Sequence, residues 1–108
     1  MGWAVDGLRL RSGLEVLLVL AMRANDMIFE YEPTIFKLKD GLRYKPDFYL
    51  PAQQRWIEVK GKMSARDEAK IEALRSLGER VDVFMQKDVE AFSGLSYRTL
   101  LKSGAYRA

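Results

Sequence analysis

Three side chains in the middle of the chain are spaced to do chemistry together. Asp47 follows Pro46, and eleven positions later Glu58 opens the run Glu58-Val59-Lys60-Gly61. In a strand, residues i and i+2 point to the same face, so Glu58 and Lys60 stand side by side. If 44–50 and 56–60 pair as strands across 51–55, Asp47 comes to lie next to both. Carboxylates bind hard divalent cations through oxygen. Such an ion acidifies a bound water and stabilises the charge that builds on a phosphate. A lysine beside it orients or deprotonates that water, or holds a phosphate oxygen as a point charge. These are the components of metal-dependent phosphodiester hydrolysis.

Composition narrows the chemistry further. The 108 residues contain no cysteine and no histidine. Disulfides, Cys/His zinc sites and catalytic Cys–His or Ser–His–Asp arrangements are therefore excluded. What remains is carboxylate, Lys, Arg, Tyr or hydroxyl chemistry, or an oxygen-bound ion such as Mg²⁺. Apolar content of 48% and charged content of 31% suit one compact domain with one core. The net charge of +3 is compatible with an anionic partner, and cations gather around the central stretch: Lys37, Lys39, Arg43, Lys45, Arg55, Lys60, Lys62, Arg66 and Lys70. The apolar run Leu14–Met22 is interrupted by Glu15 and falls far short of the roughly 20 residues a membrane span needs. The expectation is an intracellular, cytoplasmic chain without a membrane partner.

Each feature also has an ordinary reading. Glu58 and Lys60 can be a same-face ion pair on a solvated sheet. Pro46-Asp47 can be a turn, and the cations can be solubilising surface. Glu15, a candidate third carboxylate, can be only the partner of Ser12 in a helix capping box.

The elements that must position these residues follow from pattern. Residues 1–11 show none and are expected to form an arm. A helix is expected over 12–25, capped by Ser12. It is apolar nearly all round, which predicts cover on more than one face and a subunit contact. Strands are expected at 28–32, 35–39, 43–50 and 56–60. Asp40-Gly41 signals a hairpin, and Pro46 suits an edge or a bulge. Ser64 caps a helix running to about Leu77, with Ile71, Leu74 and Leu77 inward and Gly78 as its stop. A strand over 80–86 and a short helix over 97–102 complete an α/β layer with a mixed sheet.

Pro46-Asp47 with Glu58-x-Lys60 resembles the signature of the PD-(D/E)xK nucleases. More closely, the chain resembles the junction-resolving endonuclease I family of T-odd phages. The likeness runs from about Leu10 to Gly104 through Arg11-Ser12-Gly13-Leu14-Glu15, Phe29-Glu30-Tyr31-Glu32, Tyr44-Lys45-Pro46-Asp47-Phe48, Leu50-Pro51, Val59-Lys60-Gly61 and Ser96-Tyr97. The resemblance implies a restriction-endonuclease-like core over residues 1–108, a single nuclease domain. It implies a homodimeric endonuclease acting on branched DNA of the Holliday-junction type, phage-encoded and working in a host cell. Mg²⁺, with Mn²⁺ as substitute, is its expected cofactor. Glu15, Asp47 and Glu58 are the implied carboxylates, with the Val59 backbone carbonyl completing the metal set and Lys60 as the catalytic lysine. Arg11, Lys45, Lys62, Arg66 and Lys70 are the expected nucleic-acid contacts. In that family dimers exchange an extended strand ahead of the Pro-Asp strand. Here 33–44 is shorter and holds Asp40-Gly41, and a tight hairpin there would fold the chain back within one subunit. A nicking or site-specific nuclease on duplex DNA, working with a partner, is the alternative. A non-catalytic DNA-binding module of the same fold is a third.

Overall fold

Turn chemistry and apolar periodicity sort the described residues into four helices and three small sheets, a mixed α/β architecture. The computed structural model describes residues 2–108. They form two compact units, one from 2–27 with 85–108 and the other from 28–84.

The first unit begins with an antiparallel hairpin, β1 (Trp3–Val5) and β2 (Leu8–Leu10). Residues 1–11 are thus not a patternless arm. Asp6 (φ 47°) and Gly7 (φ 85°) make the turn, with the Asp-Gly chemistry also found at Asp40-Gly41. Trp3, Val5 and Leu10 face inward and are buried. Helix α1 (Gly13–Ala24) is capped by Ser12, whose Oγ accepts from the Glu15 N–H at 3.2 Å. Leu14, Val16, Leu17, Leu18, Val19, Ala21 and Met22 are all buried. Their cover is supplied by the same chain: the β1–β2 hairpin, α3 (Gln86–Ser93) and α4 (Tyr97–Ser103) all pack on α1. The all-round apolar helix therefore does not itself call for a second subunit. At Gly13 a Cβ would lie 2.6 Å from the Tyr97 ring and 3.1 Å from the Trp3 ring, so this glycine is required by close approach. Helix α3 interrupts the strand expected to reach residue 86. The Met85 N–H donates to Asp88 Oδ2 at 2.9 Å and starts a helix there instead.

The second unit is built on a four-stranded sheet in the order β3-β6-β7-β8. Its strands are β3 (Glu30–Tyr31), β6 (Phe48–Leu50), β7 (Arg55–Val59) and β8 (Val81–Phe84). β6 pairs antiparallel with both β3 and β7, and β8 runs parallel to β7. The central β7 is buried at Trp56, Ile57 and Glu58. The strand expected over 43–50 is split. Arg43–Tyr44 forms β5, which pairs with β4 (Phe36–Lys37) in a separate hairpin, and the ladder resumes at Phe48 beyond Pro46. Proline has no N–H for a ladder, and here it is fully buried at the break.

Helix α2 (Ala65–Ser76) returns the chain from β7 to β8 and lies on one sheet face. Ile71, Leu74, Trp56, Val81, Leu38 and Tyr44 form the core there. Trp56 stacks against Phe36 (5.3 Å) and Tyr49 (4.6 Å), and its indole N–H donates to Glu79 at 2.8 Å. Leu77, expected inward, is 63% exposed, because α2 ends at Ser76 and the chain turns away at Gly78 (φ 93°). On the opposite face Phe48 is buried among Phe29 and Tyr31.

Candidate functional site

The β6–β7 register positions the acids. Phe48 is opposite Ile57, so the next pair outward is Asp47 and Glu58. The two residues are laced together at the ladder's end. The Asp47 N–H donates to Glu58 Oε1 at 3.1 Å, and the Val59 N–H donates to Asp47 Oδ2 at 2.7 Å. A residue's N–H and C=O leave a strand on the same side, so the Val59 carbonyl is directed toward the same edge. Trp56, Glu58 and Lys60 share the face on which α2 packs. Lys60 Nζ lies 3.5 Å from Glu58 Oε2 and 3.1 Å from Asp67 Oδ1.

Asp67 is the member that pattern reading assigns only to a helix start. It is the N3 residue of α2, in a reciprocal capping box with Ser64. Its Oδ2 accepts from the Ser64 N–H (3.1 Å) and hydroxyl (2.8 Å), while Ser64 Oγ accepts from the Asp67 N–H (3.1 Å). The cap leaves Oδ1 to grip the lysine. Sequence spacing contained half of this signal, since Ser64-x-x-Asp67 reads as a cap. The other half needed α2 to fold back over β7.

The electrostatics follow from burial. Glu58 is only 4% exposed. Loss of water pushes its carboxyl above the usual range, against the opposing pull of its hydrogen bonds to Asp47 and of the Lys60 charge. For Lys60, burial pulls downward. The Asp67 hydrogen bond and the charges of Glu58, Asp67 and Asp47 outweigh it and hold the ammonium above its ordinary value. Asp67 is drawn down to about 2 by the Ser64 hydrogen bonds and then by Lys60. The Tyr44 hydroxyl is buried beside Glu58 and Asp47 without a partner in hydrogen-bond geometry. Desolvation, then the adjacent carboxylates, pushes its pKa far up. A buried glutamate beside a half-buried aspartate, with a protonated lysine and an un-ionised phenol, suits a hard cation. All the side-chain donors of the pair are oxygens, and added positive charge relieves the cost of ionising Glu58.

No family model, characterised protein or solved structure matches this chain.

The remaining sequence candidates fall in several places. Glu15 belongs to the first unit, 3% exposed in the first turn of α1, where its Oε1 accepts from the Arg11 N–H at 2.8 Å. The capping arrangement thus reaches one residue beyond Ser12. Arg11 is exposed at the entry to α1. Lys45 is half-buried and lies 3.4 Å from Glu32. Glu32 is a further residue that pattern reading left without a role: it sits at φ 46°, and its N–H donates to the Asp47 carbonyl at 2.8 Å. Lys62 and Arg66 are exposed around the start of α2, and Lys70 follows Arg66 one turn on, along the same helix face. Among the described residues no helix is long and apolar enough to cross a membrane.

Proposed function

We propose that this protein is a metal-dependent DNA endonuclease with a PD-(D/E)xK core, hydrolysing phosphodiester bonds in branched DNA of the Holliday-junction type. The observation that carries the reading is the laced assembly of Asp47, Glu58 and Lys60 at the end of the β6–β7 ladder. Asp47 and Glu58, with the Val59 carbonyl, would hold Mg²⁺ or Mn²⁺. When bound, the ion supplies Lewis-acid stabilisation of phosphate charge and a more acidic water.

The chain's own residues do the rest. Lys60, kept protonated between Glu58 and Asp67, holds a non-bridging phosphate oxygen and orients the attacking water. Its raised pKa argues against deprotonating that water itself. Asp67 fixes the lysine's position, and the capping box fixes Asp67. Tyr44, un-ionised and buried, lies beside the acid pair. Lys62, Arg66 and Lys70 are proposed to hold the DNA backbone near α2. A homodimer would present two such sites to the two symmetric strands of a junction.

The test is cleavage of a four-way junction in Mg²⁺ by the wild type and by Lys60→Ala. Junction nicking that falls by about 10²–10⁴-fold in the variant supports the reading. Absence of cleavage on every DNA form, or equal rates in the two proteins, overturns it. One observation favours a second reading, a nuclease that nicks ordinary duplex. The β4–β5 hairpin closes within one chain, with the Leu38 N–H donating to the Leu42 carbonyl at 2.7 Å. A protomer that needs no exchanged strand can act alone, and linear duplex cut as fast as junctions by a monomer selects that reading.

A further inference from the structure

The β4–β5 hairpin carries an arrangement that folding alone disfavours. Lys37 and Arg43 are direct cross-strand partners, and like charges set opposite each other in an antiparallel pair repel. Both are exposed, and Lys39 is exposed in the turn between them. Among the described residues none of the three has a carboxylate at salt-bridge distance. The other side of the hairpin is firmly anchored. Leu38 and Tyr44 belong to the core, Phe36 and Leu42 pack against it, and Phe36 meets Trp56 edge-on. Asp40 adopts φ 59° and Gly41 φ 73°, which closes the turn. The paired strands therefore have an apolar back and, at Lys37 and Arg43, a cationic front, with Lys39 exposed in the adjoining turn.

We propose that this front, formed by Lys37, Lys39 and Arg43, docks the phosphate backbone of double-stranded DNA. It is a surface additional to the cations around α2. The proposal rests on the nucleic-acid reading of the carboxylate site. Charge complementarity selects the occupant. A duplex carries one negative charge per about 1.7 Å of axis and releases condensed counterions to a row of fixed cations. The repulsion between Lys37 and Arg43 is relieved when phosphates lie across them. The root of the hairpin, Tyr44, faces the Asp47–Glu58 pair. A duplex held on this front is thereby held in a fixed relation to the acids.

The experiment measures binding of labelled duplex and four-way junction in metal-free buffer over a series of salt concentrations. For K37Q/R43Q the slope of log affinity against log salt becomes shallower by about 2, and binding at about 0.1 M salt weakens by roughly 10- to 100-fold. K37R/R43K restores both. The thermal midpoint of K37Q/R43Q stays level or rises, since a repulsion has been removed. K39Q, confined to the turn, gives a slope change of about 1 as a second variant independent of the strand pair. An unchanged slope in K37Q/R43Q and K39Q, with wild-type cleavage intact, overturns the hairpin surface alone. A wild type that binds no DNA overturns both this surface and the nuclease reading. Binding to phosphatidylserine vesicles but not to DNA, lost in K37Q/R43Q, assigns the face to membranes and also overturns it.

Discussion

Glu15 and Glu58 are buried to nearly the same degree, 3% and 4% exposed, yet they are accommodated in opposite ways. Glu15 sits at a helix start, where backbone N–H groups and the positive end of the helix dipole favour a carboxylate. Glu58 sits in a central strand beside a second acid, and its burial is opposed only in part by Lys60 and the Asp47 N–H. The first arrangement stabilises a fold. The second costs stability as ionised, which makes Glu58 the candidate for holding a ligand. Burial of an acid is therefore not a functional signal by itself; what surrounds the acid is.

The sharpest way to break this comparison is to neutralise each acid without changing its shape. Glu58→Gln should lower cleavage by at least about 10²-fold, assayed on a junction in Mg²⁺. In the absence of metal it should raise thermal stability at neutral pH by about 1 kcal/mol. Glu15→Gln should lower stability by about 1 kcal/mol under the same conditions. If cleavage also collapses in Glu15→Gln, the first-helix glutamate is a metal ligand as well as a cap. Equal signs of stability change in the two variants would refute the contrast.

Metal dependence gives the next largest effect. Mg²⁺ at about 100 times its Kd should stabilise the wild type by about 2.7 kcal/mol, and Asp47→Asn should abolish most of that shift in a melting experiment. The acid limb gives a smaller one. Asp67 titrates at about 2 in the fold against an ordinary 3.8. A depressed carboxyl stabilises the fold where it is ionised. Its contribution is complete above about pH 4 and is lost as the pH falls toward about 2. Asp67→Asn should flatten this part of the stability profile. It should also slow cleavage less than Lys60→Ala does, because it misplaces the lysine without removing it. Smallest is Lys45→Ala. Its ammonium is engaged by Glu32, so its salt-slope change on DNA should be below that of Arg66→Ala.

Local signals were legible where one short stretch contains the whole physical cause. Ser12 and Ser64 cap their helices because the side chain and the N–H it satisfies are three residues apart. The pairing of Asp47 with Glu58 followed from strand alternation and a short connection. The β1–β2 hairpin was missed although Asp6-Gly7 makes its turn, because no long apolar run flanks that pair. Helix α3 was not, because Val89 is its one buried residue among the eight and gives no stripe. The grip of Asp67 on Lys60 was hidden for a different reason, since it depends on α2 folding back across the sheet. The cover that α3 and α4 give α1 was likewise out of reach, because it comes from chain segments some seventy residues away.

The first unit is assembled from two pieces separated by residues 28–84, and its ends are fastened together. Arg107 lies 4.0 Å over the Trp3 ring, Tyr106 accepts from the Ala4 N–H at 2.8 Å, and the Ala108 N–H reaches the Gly2 carbonyl at 3.0 Å. In kinetic terms these are contacts of very high sequence separation, and closing so long a loop is entropically slow. Prior folding of 28–84 would shorten the effective loop. The carboxylate pair is therefore expected to form early on the folding path, and the zipper of Trp3 with the C-terminal residues late. During synthesis α1 would wait, covered only by the β1–β2 hairpin, until the last two helices had been made.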